Sequence, residues 1–296
     1  MEDFRSPFPN ADRLLDRVMD ICPFPATAQR LMALVDDDRS SLDTIGTAVA
    51  CDPSLATQVL RVANSALFRK AGGEAVRDLR QALVVIGLQE LRAMAGAMAL
   101  LATFASPDEV SLDLQRASAI SGSIAAAVMP RFVGAGRTLP FVCGLLAEVG
   151  ALVCLVVDGP MYVDLWQQTV GARRVSPIEG ARQREENEIR RYRAPSRSIG
   201  ARLLRRHRLP EEIAGAIEAP SELGPSAPIA HRATAFARMA TSVATAASAG
   251  AREIEANIAE IARSTSLGDL APAELARRVV GAAAYAERAL HSARTT

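Results

Sequence analysis

The side chains that could carry out chemistry are few in this sequence and lie far apart. The three histidines, His207, His231 and His291, lack the i, i+4 or similar spacing that brings two ligands to one metal ion. Ser65 and Ser118 have no histidine nearby, and the sequence has neither a Gly-x-Ser-x-Gly elbow nor a glycine-rich phosphate loop. The sequence therefore predicts no catalytic nucleophile, no metal site and no cofactor.

A cluster of arginines is the second chemical feature. Residues 171–208 contain twelve arginines and four glutamates, a local charge of +8 in a chain whose net charge is +1. A guanidinium group holds carboxylates and phosphates through two parallel hydrogen bonds. Arg190, Arg191, Arg193 and Arg197 are therefore candidates for binding an anionic partner, which could be an acidic protein surface, a nucleotide second messenger or a nucleic acid.

A solvated helix face is the alternative interpretation of this arginine-rich segment. Arg184, Glu185, Glu188 and Arg191 have the spacings at which opposite charges pair along one helix. Nucleic acid is disfavoured as a partner, because the segment has one aromatic residue, Tyr192, and the whole chain is close to neutral.

Composition indicates which elements must position these side chains. Hydrophobic residues make up 49% of the chain, aromatic residues only 4%, and there are 56 alanines. This composition favours closely packed helices over a sheet. The four cysteines form no Cys-x-x-Cys pair, as expected of free thiols in a reducing cytosol. Because the first residues lack a basic-then-apolar signal, a cytoplasmic location is expected.

The most apolar stretch is Leu139–Val157, which carries one charge, Glu148. A helix that is apolar on every side is either a membrane span or a fully buried core helix. No basic flank follows the stretch, which favours a single central core helix and no membrane span. Because a carboxylate inside such a helix is costly unless it is paired, Glu148 must either reach the helix surface or be the remnant of a site.

Local signals mark several helix ends. Asp52 suits an N-cap and Pro53 the first helical position, and Asn64-Ser65 suits a helix end. Asp78 and Gln81 have capping-box spacing before an apolar run, and Gly87 follows that run as a stop signal. Capping and helix-end roles explain Asp52 and Asn64 without any functional role.

Five segments, taken in order, form a motif pattern. The most specific is DPSLATQVLRVANSALF at residues 52–68, and QALVVIGLQELRAM follows at residues 81–94. The others are Pro23-Phe24-Pro25, GLLAEVG at residues 144–150, and His207-Arg208-Leu209-Pro210. Together these segments cover roughly residues 10 to 240 and resemble the HDOD domain, a signalling module related to HD-type metal-dependent phosphohydrolases, which usually has Trp-x-Leu-Pro at the position of the last segment.

The resemblance implies an all-α fold, a multi-helix bundle with an HD-type core. It also implies where metal ligands would lie in an active relative. The adjacent His-Asp pair would match Ala147-Glu148, an earlier histidine would match Ala117, and later histidines would fall near Ser196 and Ala219-Pro220. None of these positions is a histidine, so the expected core has no metal site. Asp52, Pro53, Asn64, Ser65, Gly87, Gly144 and Gly150 are then structural motif residues.

Residues 1–220 are predicted to form the HDOD-like domain, and residues 221–296 an alanine-rich helical extension packed on the same domain. The expected function is non-catalytic: a bacterial regulatory module that binds another signalling protein. One alternative is a binder of an anionic nucleotide second messenger in a metal-free ancestral pocket. A weaker alternative is a divergent phosphohydrolase.

Overall fold

Every regular element that the structure describes is an α-helix, so the predicted all-α fold is confirmed. The computed structural model describes residues 11–23, 25–37, 39–51, 56–57, 59–60, 63, 76–104, 106–128, 138–170, 177–245, 250–267 and 271–294. The helices in these ranges are α1 Ala11–Ile21, α2 Ala26–Asp36, α3 Leu42–Ala50, α4 Leu79–Ile86, α5 Leu88–Thr103, α6 Glu109–Val128, α7 Thr138–Leu145, α8 Val149–Asp158, α9 Pro160–Val170, α10 Pro177–Tyr192, α11 Ser196–Arg206, α12 Glu211–Glu218, α13 Ile229–Thr245, α14 Ala251–Ser264 and α15 Pro272–Arg294.

Capping residues define the bounds of α4 as the sequence predicts. The Asp78 carboxylate accepts a hydrogen bond of 2.8 Å from the backbone N–H of Gln81, which satisfies one free donor at the start of the helix. Gly87 ends the helix with a φ of 93°, a conformation that a side chain would strain. The motif residues Asp52, Pro53, Asn64 and Ser65 lie outside the described residues.

The apolar stretch is a buried core segment, as predicted, and a turn at residues 146–148 divides it between α7 and α8. A tight turn separates α7 from α8, with the N–H of Ala147 bonded to the carbonyl of Gly144 and that of Val149 to the carbonyl of Leu146. Residues 139–158 are long and apolar enough to cross a membrane, yet 78% of the most apolar 18 residues of this stretch are buried inside the protein. The turn places Glu148 at the start of α8 instead of the middle of a helix.

Two glycine contacts hold the α7–α8 pair against its neighbours. A Cβ atom on Gly144 would lie 2.5 Å from the carbonyl oxygen of Ser121 in α6, and one on Gly150 would lie 1.8 Å from the carbonyl oxygen of Ser196 in α11. Both contacts are with backbone, which cannot rotate out of the way. The two glycines are therefore needed for close helix packing, which gives the motif residues Gly144 and Gly150 a physical reason.

The buried side chains form two clusters that meet along α6. The larger cluster takes residues from α1–α5, from α7–α9, from α11 and α12, and from the first half of α6. The second contains Ile120, Ile124 and Val128 from the rest of α6, packed on α13, α14 and α15. Residues 221–228, which follow α12, are tied to α14 where the N–H of Leu223 donates to the carbonyl of Ser264.

Candidate functional site

A buried ion-pair cluster lies where the turn before α8 meets α10. The Arg184 guanidinium donates a 2.8 Å hydrogen bond to Glu148 Oε2, and its Nε lies 3.4 Å from Glu188 Oε1. Glu148 is only 5% exposed and Glu188 1%. One arginine from α10 thus bridges two carboxylates, one from its own helix and one from the α7–α8 turn.

Glu188 accepts two more hydrogen bonds, one from each of two further helices. The hydroxyl of Tyr162 in α9 donates to Oε1 at 3.0 Å, and the backbone N–H of Ser196 at the start of α11 donates to Oε2 at 2.6 Å. This N–H is one of the free donors at a helix start, so a carboxylate there is favoured by the helix dipole as well. Glu188 therefore ties α9, α10 and α11 together.

The charges of the two neighbouring glutamates keep the Arg184 side chain protonated. Burial alone would lower the pKa of Arg184, but the nearby charges of Glu148 and Glu188 outweigh it and raise the pKa above the ordinary value. Burial, together with the charge of Glu188, raises the pKa of Tyr162, so its hydroxyl remains a donor. The Arg184 guanidinium also lies over the ring of Trp166, 5.3 Å from its centroid, in a cation–π contact.

Two more arginines cap the carboxyl end of α12 next to this cluster. Arg197 from α11 donates to the carbonyl of Glu218, and to Glu185 Oε1 at 2.5 Å. Arg238 from α13 donates to the carbonyls of Ile217 and Ala219 at 3.2 and 2.9 Å. The last carbonyls of a helix have no partner within it and carry partial negative charge, so both guanidinium groups act as caps. Burial lowers the pKa of Arg238 to about 10, which still leaves it charged at neutral pH.

A second ion pair fixes the end of α10. Arg191 donates to both oxygens of Asp158 at the end of α8, with 2.8 Å from Nη2 to Oδ1. The Tyr192 hydroxyl donates to the same carboxylate at 2.8 Å. Burial, followed by the charges and hydrogen bond of neighbouring groups, raises the pKa of Tyr192. Asp158 therefore holds both the cation and the hydroxyl at the end of α10.

The four predicted anion-binding arginines separate into two pairs in the structure. Arg191 and Arg197 are each committed to an internal carboxylate and stabilise the fold. Arg190 is 75% exposed and 3.8 Å from Glu186, and Arg193 is exposed in the turn after α10, with a φ of 60°. An anion-binding role therefore remains a prediction for Arg190 on the outer face of α10 and for Arg193 just after that helix.

The donor set around Glu148 does not fit a metal ion. A divalent cation in an HD-type site needs several histidine and carboxylate ligands that converge on one point. Within the described residues, no group of three or more His, Cys, Asp or Glu side chains could hold a metal ion. Ser118, beside Ala117, is fully buried, and its hydroxyl has no hydrogen-bond partner there. Glu148 itself faces the Arg184 guanidinium, a group that repels cations.

The fold is an all-α bundle, and its buried cluster places the Arg184 guanidinium against the carboxylate of Glu148. The sequence profile of the HDOD domain matches residues 21–223, more than half of the chain. The chain therefore belongs to the HDOD domain family, as the sequence motifs indicate. Among curated proteins there is no match.

Solved structures of similar fold come from several bacteria. A Shewanella amazonensis SB2B protein provisionally named a phosphohydrolase is 19% identical with a TM-score of 0.67, over 94% of this chain and 95% of its own. An HDOD domain protein of unknown function from Geobacter sulfurreducens is 18% identical with a TM-score of 0.61, over 93% and 96%. A Marinobacter aquaeolei VT8 protein provisionally named a signal transduction protein is 22% identical with a TM-score of 0.57, over 96% and 67%. These likenesses establish the fold.

Sequence reasoning did not find the partner of Glu148. Its position in an apolar run indicated either a paired carboxylate or one at the helix surface, and the arginine that pairs with it, Arg184, lies 36 residues further on. The pairing of Arg184 with Glu188 has the four-residue spacing expected along a helix. Arg191 was assigned to that same helix face, and it instead crosses to Asp158 in α8. Arg238 carried no signal, since nothing in an alanine-rich helix distinguishes a capping arginine from a solvated one.

Proposed function

We propose that this HDOD protein is a non-catalytic bacterial signalling module that binds another protein in the cytoplasm. The observation that carries the proposal is the Arg184 bridge. Hydrolysis of a phosphate ester in an HD-type site requires a carboxylate free to bind metal and activate water. Glu148, the carboxylate at the matching position, is buried against a guanidinium that cannot lose its proton near neutral pH.

The exposed face of α10 is the surface proposed to meet the partner. Arg182 and Arg190 are exposed along it and Arg193 is exposed just beyond its end, with Glu186 as the opposing charge and Ile189 as an exposed apolar residue. An excess of arginine favours an acidic partner surface, and arginine is enriched among the residues that dominate protein interfaces. The relative from Marinobacter with a provisional signal-transduction name supports a signalling role for the fold.

The test is a binding measurement on two charge-reversal variants. The double variant Arg190→Glu, Arg193→Glu should lose most of the affinity of the wild-type chain for its partner, captured by pull-down and measured at low salt. Wild-type affinity should fall as salt rises, because charges further apart than about 10 Å are screened at 0.1 M ionic strength. The matched control is Arg252→Glu, Arg288→Glu, two exposed arginines of α14 and α15 with the same total charge change.

Each alternative function gives a different result in the same experiments. A nucleotide receptor would bind a cyclic dinucleotide by calorimetry, and the partner pull-down would depend on it. A divergent phosphohydrolase would contain stoichiometric metal by elemental analysis and cleave a nitrophenyl phosphate ester. If the double variant and the control bind the partner equally well, the outer face of α10 is not the interface.

A further inference from the structure

The cluster around Arg184 has the form of a cation site whose cation is a side chain. Two buried carboxylates, Glu148 and Glu188, face one guanidinium, and a hydroxyl and a backbone N–H complete the shell of Glu188. Two adjacent buried carboxylates repel each other and are costly to ionise without a counter-charge.

We infer that Arg184 is the built-in counter-ion of a cation site formed by Glu148 and Glu188, and that removing its guanidinium leaves a binding site for a free guanidinium ion. The inference concerns the interior of the protein and is independent of which partner binds to α10.

Within the part of the chain that the structure describes, the neighbouring arginines Arg238 and Arg197 are already held by other groups. Arg238 is held by the carbonyls of Ile217 and Ala219 at the end of α12, and Arg197 is held by Glu185 and the carbonyl of Glu218. The space vacated in Arg184→Ala is polar on the side of the two carboxylates and aromatic on the side of Trp166. A planar cation that can bond a carboxylate and stack on an aromatic ring fits both sides, which matches the chemistry of guanidinium.

The experiment uses the melting temperature of the full chain and the fluorescence of Trp166, the single tryptophan. Breaking a buried ion pair from one side should lower the melting temperature of Arg184→Ala by roughly 10 °C. Guanidinium chloride at about 10 mM, far below the molar range in which it denatures proteins, should restore at least half of that loss. It should also change Trp166 fluorescence with a saturable dependence on concentration, and sodium chloride at the same concentration should do neither.

The control is Arg182→Ala, on the same helix but 62% exposed and paired with Glu179 at the surface. Guanidinium should have no effect on this variant or on the wild type. The inference is overturned if Arg184→Ala melts at the wild-type temperature, or if guanidinium affects it no more than it affects Arg182→Ala. If Arg184→Ala does not fold, the double variant Arg184→Ala, Glu148→Gln decides: recovery of folding supports the inference, and failure to recover overturns it.

Discussion

Replacing Gly150 in α8 by alanine should destabilise this protein, whereas the same change at Gly281 in α15 should not. An ideal Cβ at this position lies 1.8 Å from the carbonyl oxygen of Ser196, 2.6 Å from its carbon and 2.8 Å from the N–H nitrogen of Gly200. Real Cβ atoms essentially never approach other atoms closer than 3.0 Å. Helices α8 and α11 would therefore have to separate by about 1.2 Å at this contact.

The magnitude follows from the kind of atoms that clash. Overpacking of a filled core costs about 1–3 kcal/mol, and the upper end applies because backbone atoms of a helix must move. Alanine recovers at most about 1 kcal/mol of helix propensity over glycine. The net loss is about 2 kcal/mol or more, which lowers the melting temperature by roughly 4–8 °C for a domain of this size. Because Ser196 also donates to Glu188, the shift should reach Trp166 as a change in its fluorescence.

The matched control is Gly281→Ala in α15. A Cβ at Gly281 meets nothing within 4 Å, so the same chemical change should raise the melting temperature by a few degrees through helix propensity alone. Thermal melts followed by circular dichroism measure both variants. A Gly150→Ala protein that melts within one degree of the wild type, or above it, would refute the argument that α8 and α11 meet backbone to backbone.

Two further predictions concern the end of α10 and the end of α11. Arg191→Ala should lower the free energy of unfolding by about 3 kcal/mol, because it leaves the carboxylate of Asp158, which is only 9% exposed, without its cation. The control Arg190→Ala should change the free energy of unfolding by less than about 0.5 kcal/mol. Equal urea midpoints for these two variants would contradict the internal role of Arg191. Burial, aided by the charge of Arg206, lowers the pKa of His207 below its ordinary 6.5. The unfolded chain then takes up the proton first as pH falls, so this group contributes stability that is present above pH 6.5 and is lost at lower pH. His207→Gln should therefore lose less stability than the wild type between about pH 7.5 and pH 5, and an equal or greater loss in urea titrations would contradict the assignment.

Local features of the fold could be predicted because they depend on neighbours in the sequence. The Asp78 cap and the Gly87 stop each involve residues three or four positions apart. The choice of helices over a sheet could be predicted from the high alanine content and the low aromatic content, because helix propensity is a property of each residue and its near neighbours. The motif glycines Gly144 and Gly150 could be named as structural, but the backbone atoms that exclude a side chain there lie in α6 and α11. Those contacts depend on how the helices cross.

The sequence by itself showed that Glu148 must either find a partner or reach the helix surface, since a carboxylate in an apolar run is costly otherwise. Only the tertiary structure decided which arginine that partner is. Twelve arginines follow within residues 171–208, and all are chemically equivalent until the orientation of α10 points Arg184 inward and Arg190 outward. That orientation is set by contacts between distant helices, so the same residue type becomes an internal counter-ion at one position and a solvated charge six residues later.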